Sequence, residues 1–470
     1  MKRLRMAALL GFGWLAACSS SNPLAGDGGP REAGGDRSPG TAGAGAAGSS
    51  ASGAAGSTGA GAAGSGAAGT TTDAGSGATG SGAAGSATDA GSGAAGFGAA
   101  GSATDAGPAG ASPDGAADRG DATDTAIGTE VGVPGARDVD VLFMIDDSSS
   151  IAPLQQKLLA AFPTYIQVLE SLPGGLPNLH LAVVSSSLGA GRATGIDHCP
   201  LGGDQGVFRT APLGSTCTRA TLGAGQRFLM TDRAGNANFT GDLGDMFSCI
   251  AALGSQGCGF EHQLASVLRA LGADGRPAPA ENAGFLRANA LLQVVLLTNE
   301  DDCSAPPDSA LFDTSSQLIS DPLGPLQSYR CNEFGHLCGG QPPPRTPAGP
   351  TDLSGTCVSA EDGTLLRVSD TLAALAKVKS SPAQLLVSVI AGPPTPYIVN
   401  TGPSQVKGDQ SMWPYIQHSC QAADGTYADP AVRLKQWADA FAGNGLFENI
   451  CGGDLTPVAN QLATALAKTL

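Results

Sequence analysis

Between residues 131 and 470 the chain alternates short, mostly apolar runs with longer stretches whose apolar residues recur at helical spacing. The apolar runs 139–145, 179–185, 291–298 and 385–391 are typical of strands buried on both faces of a parallel sheet. Helical spacing predicts helices over 151–172, 242–253, 261–271, 370–379, 431–442 and 455–468. Strands alternating with helices predict an α/β fold with a doubly wound, mostly parallel sheet and helices on both faces.

The first apolar run stops at an acid and is followed by polar residues. Asp146, Ser148 and Ser150 offer one carboxylate and two hydroxyls just past the predicted strand. In open α/β sheets, ligands bind beyond the carboxyl ends of the strands. A set of oxygen donors of this kind suits a hard cation such as Mg²⁺. The alternative is a Ser- and Asp-rich turn that caps the next helix.

The Asp146-x-Ser148-x-Ser150 pattern after a buried strand resembles the metal-ion-dependent adhesion site of von Willebrand factor type A domains. The resemblance covers roughly residues 137–470, with cysteine-rich loop insertions. It implies a Rossmann-like sheet with a cation site at its edge. There the hydroxyls of Ser148 and Ser150 would bind Mg²⁺ (or Mn²⁺ or Ca²⁺) directly, and Asp146 would contact the cation through water. It also implies that a carboxylate from a protein partner completes the coordination of the cation.

Two patches depart from that family's pattern. Cys258 stands where the family supplies a threonine hydroxyl, so Ser255 and Glu261 become candidate replacements. The competing role for Glu261, which we favour, is that of an acid in the first turn of the following helix. Each lost ligand weakens a site for a cation that dehydrates reluctantly.

The other departure follows the predicted strand 291–298. Asn299 replaces the family's aspartate, and Asp301 and Asp302 are close enough in sequence to restore the charge. Helix capping or solvated loop acidity is the alternative for these two acids. The predicted metal residues are therefore Asp146, Ser148, Ser150, Asn299, Asp301 and Glu261, and the predicted binding of Mg²⁺ or Mn²⁺ is weak.

The N-terminal part of the chain has a different composition. Residues 1–18 carry a basic start, a short apolar run and the quartet Leu15-Ala16-Ala17-Cys18, which resembles a bacterial lipobox. The resemblance implies export, lipid attachment at Cys18 and, because Ser19 follows, sorting to the outer membrane of the cell envelope; an ordinary signal peptide is the alternative. Residues 19–130 are a Gly/Ala/Ser-rich linker that is expected to be disordered. The whole organisation, ending in a von Willebrand type A-like domain over 131–470, is similar to surface lipoproteins of myxobacteria-like organisms.

The remaining cysteines are even in number, and all of them lie in the predicted domain. Export would place them in an oxidising compartment, which favours disulfides. Connectivity cannot be deduced from sequence, and the nearest local pairing is Cys199 with Cys217. A zinc site at Cys331, His336 and Cys338 is the alternative, although its spacing matches no strong zinc template. The ten disulfide candidates are Cys199, Cys217, Cys249, Cys258, Cys303, Cys331, Cys338, Cys357, Cys420 and Cys451.

Charge and motif content narrow the function. The net charge is −16, and no basic cluster exists to follow a phosphate backbone, which argues against a nucleic-acid partner. Common hydrolase and phosphate-loop motifs are missing from the sequence. We therefore predict a non-catalytic envelope lipoprotein that binds an unknown protein partner. The alternatives are an extracytoplasmic hydrolase with an unrecognised site and a metal-free structural domain.

Overall fold

The computed structural model of the chain describes residues 138–210, 220–404 and 409–470. The predicted signal segment, Cys18, the linker and Cys217 lie outside the described residues. All the described residues belong to one compact unit. Within them, no helix has the length and apolarity needed to cross a membrane.

The described residues form both α-helices and β-strands. The helices are α1 (Ala152–Glu170), α2 (Leu243–Ala251), α3 (Gln263–Leu271), α4 (Tyr329–Gly335), α5 (Val368–Ala376), α6 (Val432–Asp439) and α7 (Thr456–Ala467). The longer strands are β1 (Val139–Ile145), β2 (Leu179–Ser185), β6 (Leu291–Leu297), β10 (Leu385–Ala391), β11 (Ile398–Pro403), β12 (Met412–Ile416) and β15 (Gly445–Asn449). The shorter strands are β3 (Thr221–Leu222), β4 (Leu229–Thr231), β5 (Phe239–Thr240), β7 (His336–Cys338), β8 (Thr351–Asp352), β9 (Cys357–Ser359), β13 (Cys420–Gln421) and β14 (Tyr427–Ala428).

Six strands make the main sheet, in the order β15-β10-β6-β1-β2-β4. Neighbours from β15 to β2 are parallel, and β4 runs antiparallel to β2 at the edge. Val139 opens β1 opposite Leu179 of β2 and Leu291 of β6, so the three central strands begin and end level with one another. This confirms the predicted doubly wound, mostly parallel sheet.

The alternation of side chains along β1 builds a separate core on each face of the sheet. Phe143 and Ile145 pack with α1, α2 and α7 on one face. Leu142 and Met144 pack with α3, α5 and α6 on the other. Every residue of β1, β6 and β10 is buried, which is why each strand is apolar in the sequence except for one polar residue.

The predicted central strands and the six predicted helices are confirmed, with boundaries that differ by a few residues. The edge strands β4 and β15 were missed. Both are short and only partly buried, so neither produces a continuous apolar run. The small sheets β7–β9 and β8–β11–β12 were missed for the same reason.

The insertion between β6 and α5 is organised around one buried cation. Arg330 is 1% exposed, and burial lowers its pKa to about 10, so the guanidinium stays charged at neutral pH. It donates to five backbone carbonyls, those of Leu311, Asp313, Ser316, Gly324 and Pro325. The loop is thereby held by a buried charged side chain as well as by a small apolar cluster that includes Leu311 and Phe312.

Disulfides join loops that are distant in sequence. The bridges are Cys199–Cys258, Cys303–Cys331, Cys338–Cys357 and Cys420–Cys451, and Cys249 is also disulfide-bonded. The local pairing of Cys199 with Cys217 is therefore wrong. The loops after β2 and before α3 meet at one edge of the sheet, which places Cys199 beside Cys258 instead.

The alternative zinc site is also wrong. Cys331 and Cys338 are each oxidised to a different partner cysteine, so neither offers a thiolate. The His336 ring contacts the Asp301 carboxylate and the Tyr397 hydroxyl.

Candidate functional site

The candidate site lies at the carboxyl ends of β1 and β6, where the winding of the sheet reverses. From β1 the chain moves to β2 on one side, and β6 begins the series on the other side. Such a switch point leaves a crevice between the two loops that diverge from it, and ligands bind there in open α/β sheets. The Asp146 N–H donates to Leu297 O at 2.9 Å, so the two strand ends stay joined up to the first residue of the site.

Asp146 is the centre of the site. Its side chain is fully buried, and burial raises the pKa of the carboxyl group. The Ser148 N–H donates to Oδ1 at 2.8 Å and the Thr298 hydroxyl donates to Oδ2 at 2.7 Å, which offsets part of that rise. Ser186, from the loop after β2, reaches Oδ1 at 3.4 Å. Three loops therefore converge on one carboxylate.

Asn299 and Ser150 lie in contact, as the predicted site requires. The Asn299 amide Nδ2 donates to Ser150 Oγ at 3.0 Å, and Asn299 Oδ1 lies 3.3 Å from the same hydroxyl. Asn299 is 1% exposed, while Ser150 lies partly exposed at the surface. The polar residues that follow β1 and those that follow β6 therefore meet at this edge of the sheet.

The environment of the Ser148 hydroxyl indicates whether these residues fit a cation. The side chain is 3% exposed, and its Oγ makes no hydrogen bond within the described part of the chain. It lies near enough to Asp146 to help lower the pKa of that carboxyl group. A buried hydroxyl without a hydrogen bond is costly, and a cation bound beside Asp146 would use it as an oxygen ligand. The donor set thus fits a hard divalent cation.

Asp147, next to Asp146, is also buried. Its pKa is raised to about 7, first by burial and then by the neighbouring carboxylates of Asp146 and Asp204. Ser186 Oγ lies 3.3 Å from Asp147 Oδ1. Sequence reasoning gave Asp147 no role, because the pattern Asp-x-Ser-x-Ser leaves this position unspecified.

Asp301 is engaged away from the candidate cation position. The backbone N–H groups of Arg433 and Leu434 donate to its carboxylate at 2.8 and 3.1 Å, so it caps the start of α6. Its carboxylate also contacts the His336 ring at 2.8 Å. Although burial opposes ionisation, His336 and Arg433 hold the pKa of Asp301 below its usual value. This is the capping role that the sequence left open.

Asp302 has a comparable structural role. It is 1% exposed, accepts from the Ser304 hydroxyl at 2.6 Å and from Leu264 N at 3.0 Å, and pairs with the Arg433 guanidinium at 3.0 Å. It connects the loop after β6 to the starts of α3 and α6. The carboxylates of Asp301 and Asp302 therefore each already have several donors.

The segment that contains Cys258 and Glu261 differs in part from its predicted role. Glu261 is 2% exposed and lies ahead of α3, which starts at Gln263 with no acid in its first turn. The interpretation of Glu261 as a first-turn acid is therefore wrong. Cys258 is fully buried and disulfide-bonded to Cys199, so it supplies no hydroxyl, as expected.

Sequence reasoning missed four residues that shape the site: Asp147, Gln155, Ser186 and Thr298. Ser186 stands in a run of three serines at the end of a predicted strand, a polar edge like the one after β1. Thr298 was included in the predicted strand. Its position directly before Asn299 could have indicated a role in the site, because residues at the carboxyl end of β6 lie at the switch point of the sheet.

An acidic cavity lies beside the candidate site. Its lining includes Glu261, Glu300, Asp301, Asp302, Asp429 and His336. Within the ranges that the structure describes, no three His, Cys, Asp or Glu side chains are arranged to hold a metal ion. A cation at this edge of the sheet would therefore depend on hydroxyl and amide oxygens as well as carboxylates.

The Asp301–His336 pair bears on the hydrolase alternative. An acid within hydrogen-bonding distance of a histidine, in a cleft, is the arrangement that alternative needs. However, the second ring nitrogen of His336 lies 3.0 Å from the Tyr397 hydroxyl, and the His336 ring is 1% exposed. The imidazole therefore has no nitrogen available to a substrate in this conformation.

Comparisons with known proteins give only distant matches. No family model and no curated protein matches the chain. Among solved structures, a von Willebrand factor type A protein from Catenulispora acidiphila is 12% identical, with 71% of this chain and 43% of that chain covered and a TM-score of 0.26. The PilB minor pilin from Streptococcus sanguinis is 10% identical, with 72% and 62% covered and a TM-score of 0.27. The pilus adhesin RrgA from Streptococcus pneumoniae is 11% identical, with 71% and 44% covered and a TM-score of 0.28. At these TM-scores the matches decide neither family nor function.

Proposed function

We propose that residues 131–470 form a non-catalytic protein-binding domain that holds Mg²⁺ or Mn²⁺ at the carboxyl edge of β1 and β6. A carboxylate from the partner protein completes the coordination of the cation. Residues 1–130 supply the lipid anchor at Cys18 and a linker that separates the domain from the cell envelope. The proposal for the anchor comes from the sequence alone.

The single observation that supports the cation is the convergence of Asp146, Ser148, Ser150, Thr298 and Asn299 at one switch point. Asp146 is a buried carboxylate. The Ser148 hydroxyl beside it makes no hydrogen bond within the described residues. A divalent cation would offset the cost of burying both groups.

The composition of this set also predicts weak affinity. Asn299 offers a neutral amide, and Cys258 offers no oxygen. Mg²⁺ loses its water reluctantly and relies on carboxylates for tight binding. We therefore expect binding that is detectable with Mg²⁺ or Mn²⁺ alone and stronger when a partner carboxylate is present.

Titration calorimetry on the chain without residues 1–18 tests the cation site. We expect Mg²⁺ and Mn²⁺ to bind, Asp146→Ala to abolish binding, and Asn299→Asp to tighten it because a carboxylate replaces an amide. Asp308→Ala is the matched control, because the Asp308 side chain is 80% exposed and away from the site. Binding by Asn299→Asp with none by the wild type would identify a vestigial site in a structural domain.

Capture experiments test the partner. The same protein, immobilised and exposed to cell-surface extract, should retain a partner in Mg²⁺ and release it in chelator. The Asp146→Ala variant should retain nothing. Capture that persists in chelator would rule out the metal bridge and leave a metal-independent binding domain.

A further inference from the structure

We propose that Asp147 is the second acid of the candidate cation site and supplies the negative charge that Asn299 lacks. The inference rests on the proposed function and adds a metal-binding residue to it. In the family pattern the two acids lie in two loops, at the positions of Asp146 and Asn299. In this chain both acids would come from adjacent positions of the loop after β1.

The first argument is position. Asp147 is 2% exposed, so its carboxyl group faces into the protein. Ser186 Oγ lies 3.3 Å from Asp147 Oδ1 and 3.4 Å from Asp146 Oδ1. Adjacent residues of an extended chain usually point to opposite sides, yet here both carboxyl groups lie within reach of a single hydroxyl.

The second argument is the cradle that holds the Asp147 carboxylate. The Gly257 N–H donates to Asp147 O at 2.6 Å. A Cβ at position 257 would lie 2.2 Å from Asp147 Oδ1, so this carboxylate packs directly on the glycine backbone. Gly257 precedes Cys258, whose sulfur is used in a disulfide. The Asp147 carboxylate therefore lies against the loop before α3, in which Cys258 supplies no hydroxyl.

The third argument is that the two acids Asp301 and Asp302, which follow Asn299 in the chain, are engaged elsewhere. Asp301 caps α6, and Asp302 pairs with Arg433 and accepts from Leu264 and Ser304. Moving either carboxylate to the cation would break several buried hydrogen bonds. Asp147 needs no such rearrangement.

An independent observation points to a ligand at this place. The Ser148 hydroxyl, on the residue that follows Asp147, is buried beside Asp146 and makes no hydrogen bond within the described residues. Arg209, whose charge acts to lower the pKa of Asp147, already pairs with Asp204 at 2.7 Å. Two carboxyl groups and a hydroxyl that lacks a hydrogen bond form a donor set that a divalent cation satisfies.

The test moves the charge between the two positions. Mn²⁺ and Mg²⁺ are titrated into the exported chain as wild type, Asp147→Asn, Asn299→Asp and the double variant. We expect Asp147→Asn to weaken binding by about 10- to 100-fold, the range seen when groups that support a metal site are removed. Asn299→Asp should tighten binding, and the double variant should return close to the wild-type affinity, because the number of carboxylates is restored.

The outcomes separate the two proposals. If the wild type binds no cation, whether or not Asn299→Asp does, the proposed function is overturned. If the wild type binds and Asp147→Asn binds equally well, or loses affinity that Asn299→Asp does not restore, only the role of Asp147 is overturned. Thermal unfolding of each variant checks folding. Asp147→Ser, with the same expected loss and rescue, replaces Asp147→Asn should the latter not fold.

Discussion

Gln155 shows how one buried amide can assemble a site from two loops. This residue of α1 is 1% exposed. Its Nε2 donates to Asp146 O at 2.7 Å and to Gly254 O at 2.9 Å, while its Oε1 accepts from Gly254 N at 3.0 Å. The loop after β1 and the loop after α2 are therefore held at a fixed distance by one side chain.

Replacing Gln155 by leucine should lower the free energy of unfolding by about 1–3 kcal/mol, because buried backbone groups of Asp146 and Gly254 lose their partners. Cation binding should weaken in parallel, since Asp146 is then less well positioned. Urea unfolding and Mn²⁺ titration measure the two effects. Gln156→Leu is the matched control, because Gln156 is the exposed neighbour on the same helix. Equal stability of the two variants would contradict this role.

At the scale of elements, the insertion between β6 and α5 depends on polar contacts. Arg330 lies at the second position of α4, and its five carbonyl partners are spread over the preceding loop. The Cys303–Cys331 bridge fixes the start of the same loop to α4. A planar guanidinium carries five N–H donors in a fixed fork, whereas an ammonium group carries three, so lysine cannot donate to all five carbonyls.

Arg330→Lys should therefore lower the free energy of unfolding by more than about 2 kcal/mol, although charge is conserved, because several buried carbonyls are left without donors. Limited proteolysis should then cut within residues 304–328 faster than in the wild type. Arg192→Lys serves as the control, since the Arg192 side chain is 75% exposed. Wild-type resistance of the Arg330 variant to both urea and protease would show that the disulfides and the apolar cluster around Phe312 order the insertion without Arg330.

At the scale of the whole molecule, two apolar cores on the faces of one sheet are surrounded by loops that the disulfides hold together. Three of the described bridges lie in the loops and insertions around the candidate site and the acidic cavity, and Cys420–Cys451 joins the β13–β14 hairpin to the loop that precedes α7. Loop closure by a disulfide stabilises the fold mainly by restricting the unfolded chain.

Peptide mapping, without reduction, of the chain lacking residues 1–18 and produced under oxidising conditions should recover the pairs Cys199–Cys258, Cys303–Cys331, Cys338–Cys357 and Cys420–Cys451. No thiol of the ten domain cysteines should react with an alkylating reagent. Removing one bridge by a Cys-to-Ser pair, for example at Cys199 and Cys258, should cost about 2–5 kcal/mol of stability. A Cys199–Cys217 peptide, or several alkylated cysteines, would contradict the structure.

Much of the fold follows from local sequence. Each central strand is a mostly apolar run because both of its faces are buried, and each long helix repeats its apolar residues at helical spacing. The edge strands β4 and β15 could not be found this way, because one side of each is solvated and the pattern is diluted. The same limit applies to the insertion, whose order comes from Arg330 and a disulfide rather than from apolar periodicity.

For the candidate site, the sequence by itself determined the polar edge after β1 and its likeness to a cation-binding pattern, since Asp146, Ser148 and Ser150 are neighbours in the chain. It also determined that Asn299 and Cys258 depart from that pattern. Which side chains meet there was decided by the tertiary structure alone. The level ends of β1, β2 and β6 bring Thr298 and Ser186 to Asp146, while α6 and Arg433 draw Asp301 and Asp302 away. The physical reason is that hydrogen-bonding distance depends on where strand ends and helix starts converge, and sequence separation does not encode that convergence.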